Sequence, residues 1–252
     1  MSKARQQDVG SFVRWELMTR SVAQALDFYK SLFSWSYDAA ELNDGATYYH
    51  LLHGNHRIGG IYAMADDLAG KPAAAHWTPY LGVSDVDQSL LEAKSMGAKV
   101  TAESFDFAAL GRMALLLDPT GAPFGLWQDQ QRTLLERSVA WHELSTHDAE
   151  SAATFYGDLF NWITRPDSQG EVAITRFYSG PRPTAALITL SPRFRAVPPH
   201  WLPYFYVEDM ALATKALTQS GGRILAEPSH GPSGTQAVVQ DPQGAVFGVM
   251  TV

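Results

Sequence analysis

Cysteine is absent from the 252-residue chain. That removes disulfide cross-links, thiolate nucleophiles and zinc–cysteine sites together. Basic excess is also missing: Asp and Glu outnumber Lys and Arg 26 to 19, a net charge of −7. Nucleic acids and anionic membranes select basic faces, so neither is an expected partner. No apolar run approaches the roughly 18 residues that a membrane helix needs. The start, Met1 to Asp8, is polar and has no apolar signal core, which makes a soluble cytoplasmic protein the expectation. No Gly-x-Ser-x-Gly elbow occurs, so a serine hydrolase has no support. The Gly/Pro-rich segment Glu227 to Gly234 lacks the lysine of a phosphate loop and reads as a mobile loop at a cavity mouth.

What the chain has is a repeat. Trp15-Glu16-Leu17 recurs as His142-Glu143-Leu144, Phe28-Tyr29 as Phe155-Tyr156, and Leu32-Phe33-Ser34-Trp35 as Leu159-Phe160-Asn161-Trp162, all displaced by 127 positions. His76-Trp77-Thr78-Pro79-Tyr80 returns as His200-Trp201-Leu202-Pro203-Tyr204, and Asp118-Pro119-Thr120-Gly121 as Asp241-Pro242-Gln243-Gly244. Matches in one order with small drifts in spacing mark an internal duplication. The expected organisation is a first module over 1–127, a polar glutamine-rich linker over 128–137, and a second module over 138–252.

Within each module the pattern doubles again. In the first, Phe12–Met18 reads as a strand and Ser21–Phe33 as a helix. Val22, Ala25, Leu26, Tyr29, Leu32 and Phe33 fall at helical spacing, with Ser21 or Thr19 as cap. Strands follow at Tyr48–Leu52 and Arg57–Met64. Then come strand Trp77–Val83, a helix opened by Asp85 and Gln88 and closed at Gly97, and strands Lys99–Glu103, Arg112–Leu117 and Pro123–Trp127. The last two are joined by an Asp-Pro-Thr-Gly turn. The second module repeats this, with Asp148 and Asp209 as caps. Four β-α-β-β-β units with helices on mixed sheets give an α+β class.

The Phe-Tyr helix, its Leu-Phe-x-Trp end, the Val-x-Asp opening of the second helix and the Asp-Pro-x-Gly turn resemble the vicinal oxygen chelate superfamily. That group contains glyoxalase I, extradiol dioxygenases and bleomycin-resistance proteins. The resemblance covers nearly the whole chain, and is greatest to two-module glyoxalase-like proteins often labelled hydroxylases. It implies two modules, each a curved mixed sheet around a ligand cavity. It also implies four metal-ligand positions per module, which fall on Arg14, Gly59 or Gly60, Thr78 and Gly125, and on Trp141, Ala186, Leu202 and Gly248. Glycine, alanine, leucine, tryptophan and arginine do not ligate these metals. A shift of two residues keeps the strand face and reaches Glu16, His76, Glu143 and His200. That is at most two ligands per module, where a tight catalytic site uses three. No cofactor is therefore expected, and a divalent metal is the alternative.

Glu16 and Glu143 are the candidate catalytic residues, because each interrupts an apolar strand. A buried carboxylate there is costly unless it is paired or functional. Either could serve as general acid or base; the competing reading pairs Glu16 with Arg14. His76 and His200 read first as strand-end histidines bonded to a loop carbonyl. His142 stands where the first module has Trp15. Arg14, Trp15, His76, Trp77, Tyr80, Trp127, Trp141, His142, His200, Trp201 and Tyr204 are the candidate ligand-binding residues. Their rings suit a planar, apolar or aromatic molecule. The reading is a small-molecule binding protein without the usual metal ligands. Its alternatives are a metal-independent isomerase, lyase or hydrolytic enzyme acting through Glu16 or Glu143, and a metal-dependent lyase or dioxygenase with shifted ligands. The expected assembly is a monomer with pseudo-dimeric modules, or a weak homodimer.

Overall fold

The computed structural model describes residues 9–42, 45–64, 74–107, 110–129, 139–167, 173–231 and 234–251. Most of the expected linker, from residue 130 on, lies outside the described residues. The first module runs β1 (Phe12–Thr19), α1 (Val22–Phe33), β2 (Ser36–Glu41), β3 (Thr47–His53), β4 (His56–Ala63), β5 (His76–Gly82), α2 (Val86–Ser95), β6 (Lys99–Phe107), β7 (Gly111–Leu117) and β8 (Pro123–Asp129). The second runs β9 (Val139–Thr146), α3 (Ala149–Phe160), β10 (Ile163–Pro166), β11 (Ile174–Tyr178), β12 (Pro183–Thr189), β13 (His200–Tyr206), α4 (Met210–Gln219), β14 (Arg223–Gly231), β15 (Gly234–Gln240) and β16 (Val246–Met250). Each module forms one mixed eight-stranded sheet, ordered β2-β3-β4-β1-β5-β8-β7-β6 and β10-β11-β12-β9-β13-β16-β15-β14. The class is α+β, as the pattern implies.

Packing divides the chain differently from the repeat. One compact unit gathers residues 1–13, 79–133 and 142–201; the other gathers 14–78, 134–141 and 202–252. The repeated motifs show what holds each unit. In the second unit the Trp77 indole donates to the Tyr29 hydroxyl at 3.0 Å, and that hydroxyl donates to Asp241 Oδ2 at 3.2 Å. In the first unit Trp201 donates to Tyr156 at 2.8 Å, and Tyr156 to Asp118 Oδ2 at 3.0 Å. The other carboxylate oxygen closes the turn: Asp118 Oδ1 accepts from the backbone N–H of Thr120, Gly121 and Ala122, and Asp241 Oδ1 from those of Gln243 and Ala245. Both carboxylates are buried. Burial pushes the Asp241 carboxyl above its ordinary pKa, against the hydrogen bonds that hold it down. The Asp-Pro-x-Gly motif is thus a turn and a buried acceptor at once.

The Leu-Phe-x-Trp motif has a matching explanation. Ser34 and Asn161 end α1 and α3 in the left-handed region, at φ 55° and 54°. That reversal lays Trp35 on Tyr29, ring centres 6.0 Å apart, and Trp162 on Tyr156, 5.9 Å apart. Capping differs between copies. Asp148 caps α3 through the Ser151 N–H, and Asp85 and Asp209 cap α2 and α4 in the same way. Ser21 makes no side-chain cap bond, and Thr19 is buried within β1. The Gln243 side chain instead accepts from the Ser21 N–H at 2.6 Å and donates to its carbonyl at 2.8 Å.

Two strands escape the apolar pattern: β2 is almost wholly exposed and β10 entirely so. The segment expected as a mobile loop is strand for most of its length, because β14 continues to Gly231 and β15 starts at Gly234. His230 there bonds Thr235 across the hairpin; Pro232 and Ser233 lie outside the described residues. No described helix is long and apolar enough to cross a membrane. Replacing Tyr29 by Phe removes the central hydroxyl of a buried relay and takes a hydrogen-bond partner from both Trp77 and Asp241. It should cost about 1–3 kcal/mol in urea unfolding, and the Tyr29→Phe/Trp77→Phe double variant should lose less than the sum of the singles.

Candidate functional site

The second unit holds a buried polar cluster on β1, β3 and β4. Register places Glu16 beside Gly60, and Gly60 beside His50 on its other side. Side chains of paired positions share a face, so the row across three strands reads Glu16, Gly60, His50. Two residues along their strands, Arg14 and Tyr48 join that face. Arg14 Nη2 pairs with Glu16 Oε1 at 2.8 Å and also donates to the Tyr48 hydroxyl. Tyr48 in turn donates to Glu16 Oε1 at 2.8 Å. Glu16 keeps 1% of its side-chain surface exposed and Arg14 11%. The expected pairing of Glu16 with Arg14 is therefore present, with a phenol added that the sequence reading missed.

Gly60 explains the phenol. A Cβ at Gly60 would lie 1.8 Å from the Tyr48 hydroxyl oxygen. The hydroxyl occupies the space a side chain would need. Burial, and then the Glu16 charge, raise the Tyr48 pKa well above its ordinary value, while Arg14 lowers it; the phenol stays a donor. His50 is buried too, with its ring 4.8 Å from that of Tyr48. Burial, Arg57 and Arg14 push His50 down to about 4, against Asp38. It is neutral at pH 7.

The same substitution of ring for side chain recurs at the last strands. In the first unit Tyr80 pairs with Gly125, and a Cβ there would meet the Tyr80 ring at 2.3 Å. In the second unit Tyr204 pairs with Gly248, with the ring at 2.1 Å. Trp127 stands edge-on to Tyr80, 6.2 Å between centres, and to Phe107 at 6.1 Å. Trp141 packs against Leu202, Tyr204 and Met250.

Other expected site residues are placed on strands, either within the core or at strand starts. Trp15 is fully buried, on the face opposite Glu16 by strand alternation. Trp77 and Trp201 are core residues held by Tyr29 and Tyr156. His76 Nδ1 meets the Ala74 carbonyl and His200 Nδ1 the Pro198 carbonyl, both at 2.9 Å. His142 stacks on Phe12, 3.7 Å between ring centres, and desolvation lowers it to about 3. Glu143 is half-buried in register with Ala186, which pairs with Arg176; Arg176 Nε bonds Asp167 at 2.7 Å.

Comparison with known proteins defines the class. The family described as Glyoxalase/Bleomycin resistance protein/Dioxygenase superfamily matches residues 11–126 and again 138–249. The chain belongs to that superfamily. Mycobacterium bovis "Putative glyoxylase CFP32" is 33% identical over 245 residues, covering 93% of this chain and 92% of its own. Anthracycline biosynthesis protein DnrV of Streptomyces peucetius is 29% identical over 255 residues, covering 94% and 91%. Among solved structures, the 2,3-dioxygenase LapB of Pseudomonas sp. KL28 shares the fold at TM-score 0.69 and 10% identity, covering 97% of this chain and 93% of its own. A Mn(II)-bound glyoxalase from Novosphingobium aromaticivorans follows at TM-score 0.66 and 13% identity, covering 97% and 83%.

The residues at the superfamily's metal positions do not fit a metal. Gly60, Gly125 and Gly248 lie under tyrosines, and Glu16 is committed to Arg14 and Tyr48. No group of three or more His, Asp or Glu that could hold an ion occurs among the described residues. Gly125→Glu and Gly248→Glu, which place a carboxylate at a metal-ligand position, should lower the melting temperature without creating Mn2+ affinity in calorimetric titration.

A second expectation concerns pH. The folded pKa values of His50 and His142 lie near 4 and 3, below the ordinary 6.5, and that of His200 is also lowered by burial. The unfolded chain then binds more protons than the folded one below about pH 6.5. Stability should fall as pH drops from 7 toward 4, measured as a declining melting temperature. His142→Phe should flatten that decline.

Proposed function

We propose that this superfamily member binds a small planar molecule, apolar or aromatic, without the metal that its Mn(II)-bound glyoxalase neighbour holds. The tyrosine rings over Gly125 and Gly248 carry the reading. Where a metal ligand would project from the last strand, this chain places a buried tyrosine ring with tryptophan beside it. Flat rings with few polar groups suit stacking against a planar ligand. The name of the DnrV relative agrees with an aromatic ligand. The net charge of −7 fits neither nucleic acid nor membrane as partner. The protein acts as a monomer whose two modules stand in for a homodimer. A second reading, proton transfer through Glu16, is favoured by the two donors that fix its Oε1.

Tryptophan fluorescence titration with anthraquinone-2-sulfonate tests the first reading. Saturable quenching is expected at no more than two molecules per chain. Trp127→Phe and Trp141→Phe should each weaken binding by about two- to tenfold, since such ring contacts contribute about 0.5–1.5 kcal/mol. Unsaturable quenching, or equal affinity in the double variant, contradicts it.

A further inference from the structure

The end of β13 and the first turns of α4 differ from their copies in the first module. In the repeat Tyr206 matches Gly82, Glu208 matches Ser84, Leu212 matches Gln88 and Ala216 matches Glu92. On α2 these positions are polar, and the Gln88 amide donates to Glu92 Oε1 at 2.8 Å. On α4 they are apolar, and Leu212 is 66% exposed and Tyr206 37%. One exposed apolar side chain is ordinary, but several gathered along one cavity mark a binding surface.

Tyr206 and Leu212 do share a cavity. Both line a groove of about 430 Å³ in the second unit, between the end of α1 and the start of α4. Phe33 and Trp35 also line it, stacked on each other at 4.5 Å between ring centres. Leu32 and Ala216, both half-buried, add aliphatic wall. The first unit treats the matching ground differently. There Gly10 packs on the corresponding rings: a Cβ at Gly10 would fall 2.8 Å from Phe160 Cβ and 2.5 Å from Trp162 Nε1. The Gly10 N–H donates to the Gly82 carbonyl at 2.9 Å, and the Gly82 N–H to the Ser11 carbonyl at 2.8 Å. Backbone occupies in one copy what is a groove in the other.

The polar lining has one sign. Glu208 and Asp209 line the groove beside Ser34 and His53, and neither lysine nor arginine is among the described lining residues. Asp209 is partly committed, because its Oδ1 caps α4 through the Leu212 N–H, as Asp85 caps α2. Glu208 has no such duty and forms no ion pair among the described residues; it is also the acid that the copy lacks. The volume falls in the range of small-molecule sites, about 300–1,000 Å³. Aliphatic walls with a carboxylate at one end complement a compact apolar body that carries one positive charge.

We propose that the groove between α1 and α4 binds a small organic cation, with its apolar body against Tyr206 and Leu212 and its ammonium group at Glu208. The site occurs once per chain. It shares no described lining residue with the Tyr80, Trp127, Tyr204 and Trp141 rings, and it stands whether or not those rings hold a planar ligand.

Isothermal titration calorimetry of the full-length protein at pH 7 and low salt tests it, with adamantan-1-ylmethylammonium as the probe. Its round body suits the groove and does not stack as a planar ligand would, so anthraquinone-2-sulfonate should not displace it. One molecule should bind per chain. The uncharged adamantan-1-ylmethanol should bind about two- to fivefold more weakly, and adamantane-1-carboxylate more weakly still. Glu208→Gln should abolish the advantage of the ammonium over the alcohol and leave the affinity for the alcohol unchanged. Leu212→Gln installs the copy's residue at an exposed position, and should weaken both by about three- to tenfold. Glu150→Gln removes the same charge elsewhere and should change nothing. Absence of binding, equal affinity for the three adamantanes, undiminished binding in Leu212→Gln, or loss of binding in Glu150→Gln overturns the proposal. Sedimentation velocity on the same samples adds one more outcome. A dimer that Leu212→Gln dissociates assigns this face to a second copy of the chain and overturns the proposal as well.

Discussion

The structure depends on a buried hydrogen-bond relay made twice, from tryptophan to tyrosine to aspartate. Each relay closes one compact unit, and it does so across the repeat. Tyr29 and Asp241 are 212 residues apart, and Tyr156 and Asp118 are 38 apart. A buried carboxylate without donors would be costly; here every lone-pair direction that matters is met by a turn N–H or a phenol. The relay explains why the Phe-Tyr helix motif and the Asp-Pro-x-Gly turn occur together in each copy. Neither is complete alone: the turn supplies the acceptor, and the helix supplies the hydroxyl.

The duplication then permits divergence. Where the helix start carries its own acid, as at Asp148, the facing turn holds Thr120, which bonds Asp118. Where the helix start is Ser21, the turn holds Gln243, which caps the helix from outside. The two copies solve one problem with different residues, and the sheets do likewise. Glu16 is compensated by Arg14 on its own strand, whereas Glu143 lies in a row with Arg176 two strands away.

The fold was legible in the sequence because its determinants are local and repeated. Helical spacing, aspartate caps, Asp-Pro turns and duplicated motifs all lie within short windows. The exposed strands β2 and β10 were not legible, since neither carries apolar alternation, and their pairing comes from neighbours. The site was legible in part. Glu16 and Arg14 stand out because charges interrupt an apolar strand, and His76 and His200 bond loop carbonyls as strand-end histidines can. Tyr48 and His50 gave no signal: they lie in the aromatic run Tyr48-Tyr49-His50, and their meaning depends on Gly60 from another strand. The same holds for Gly125 and Gly248. Sequence shows that they cannot bind metal, but only the register shows that tyrosines fill the space.

The central claim is that this branch of the superfamily replaced its metal positions with buried aromatic rings. Elemental analysis of protein purified without chelator, by plasma mass spectrometry and normalised to chain concentration, tests it most directly. The account predicts Mn, Fe, Co, Ni, Cu and Zn all far below one equivalent per chain, and no gain after dialysis against Mn2+ or Fe2+. One equivalent of any of these per chain, retained through gel filtration and lost from Glu16→Gln, would contradict it.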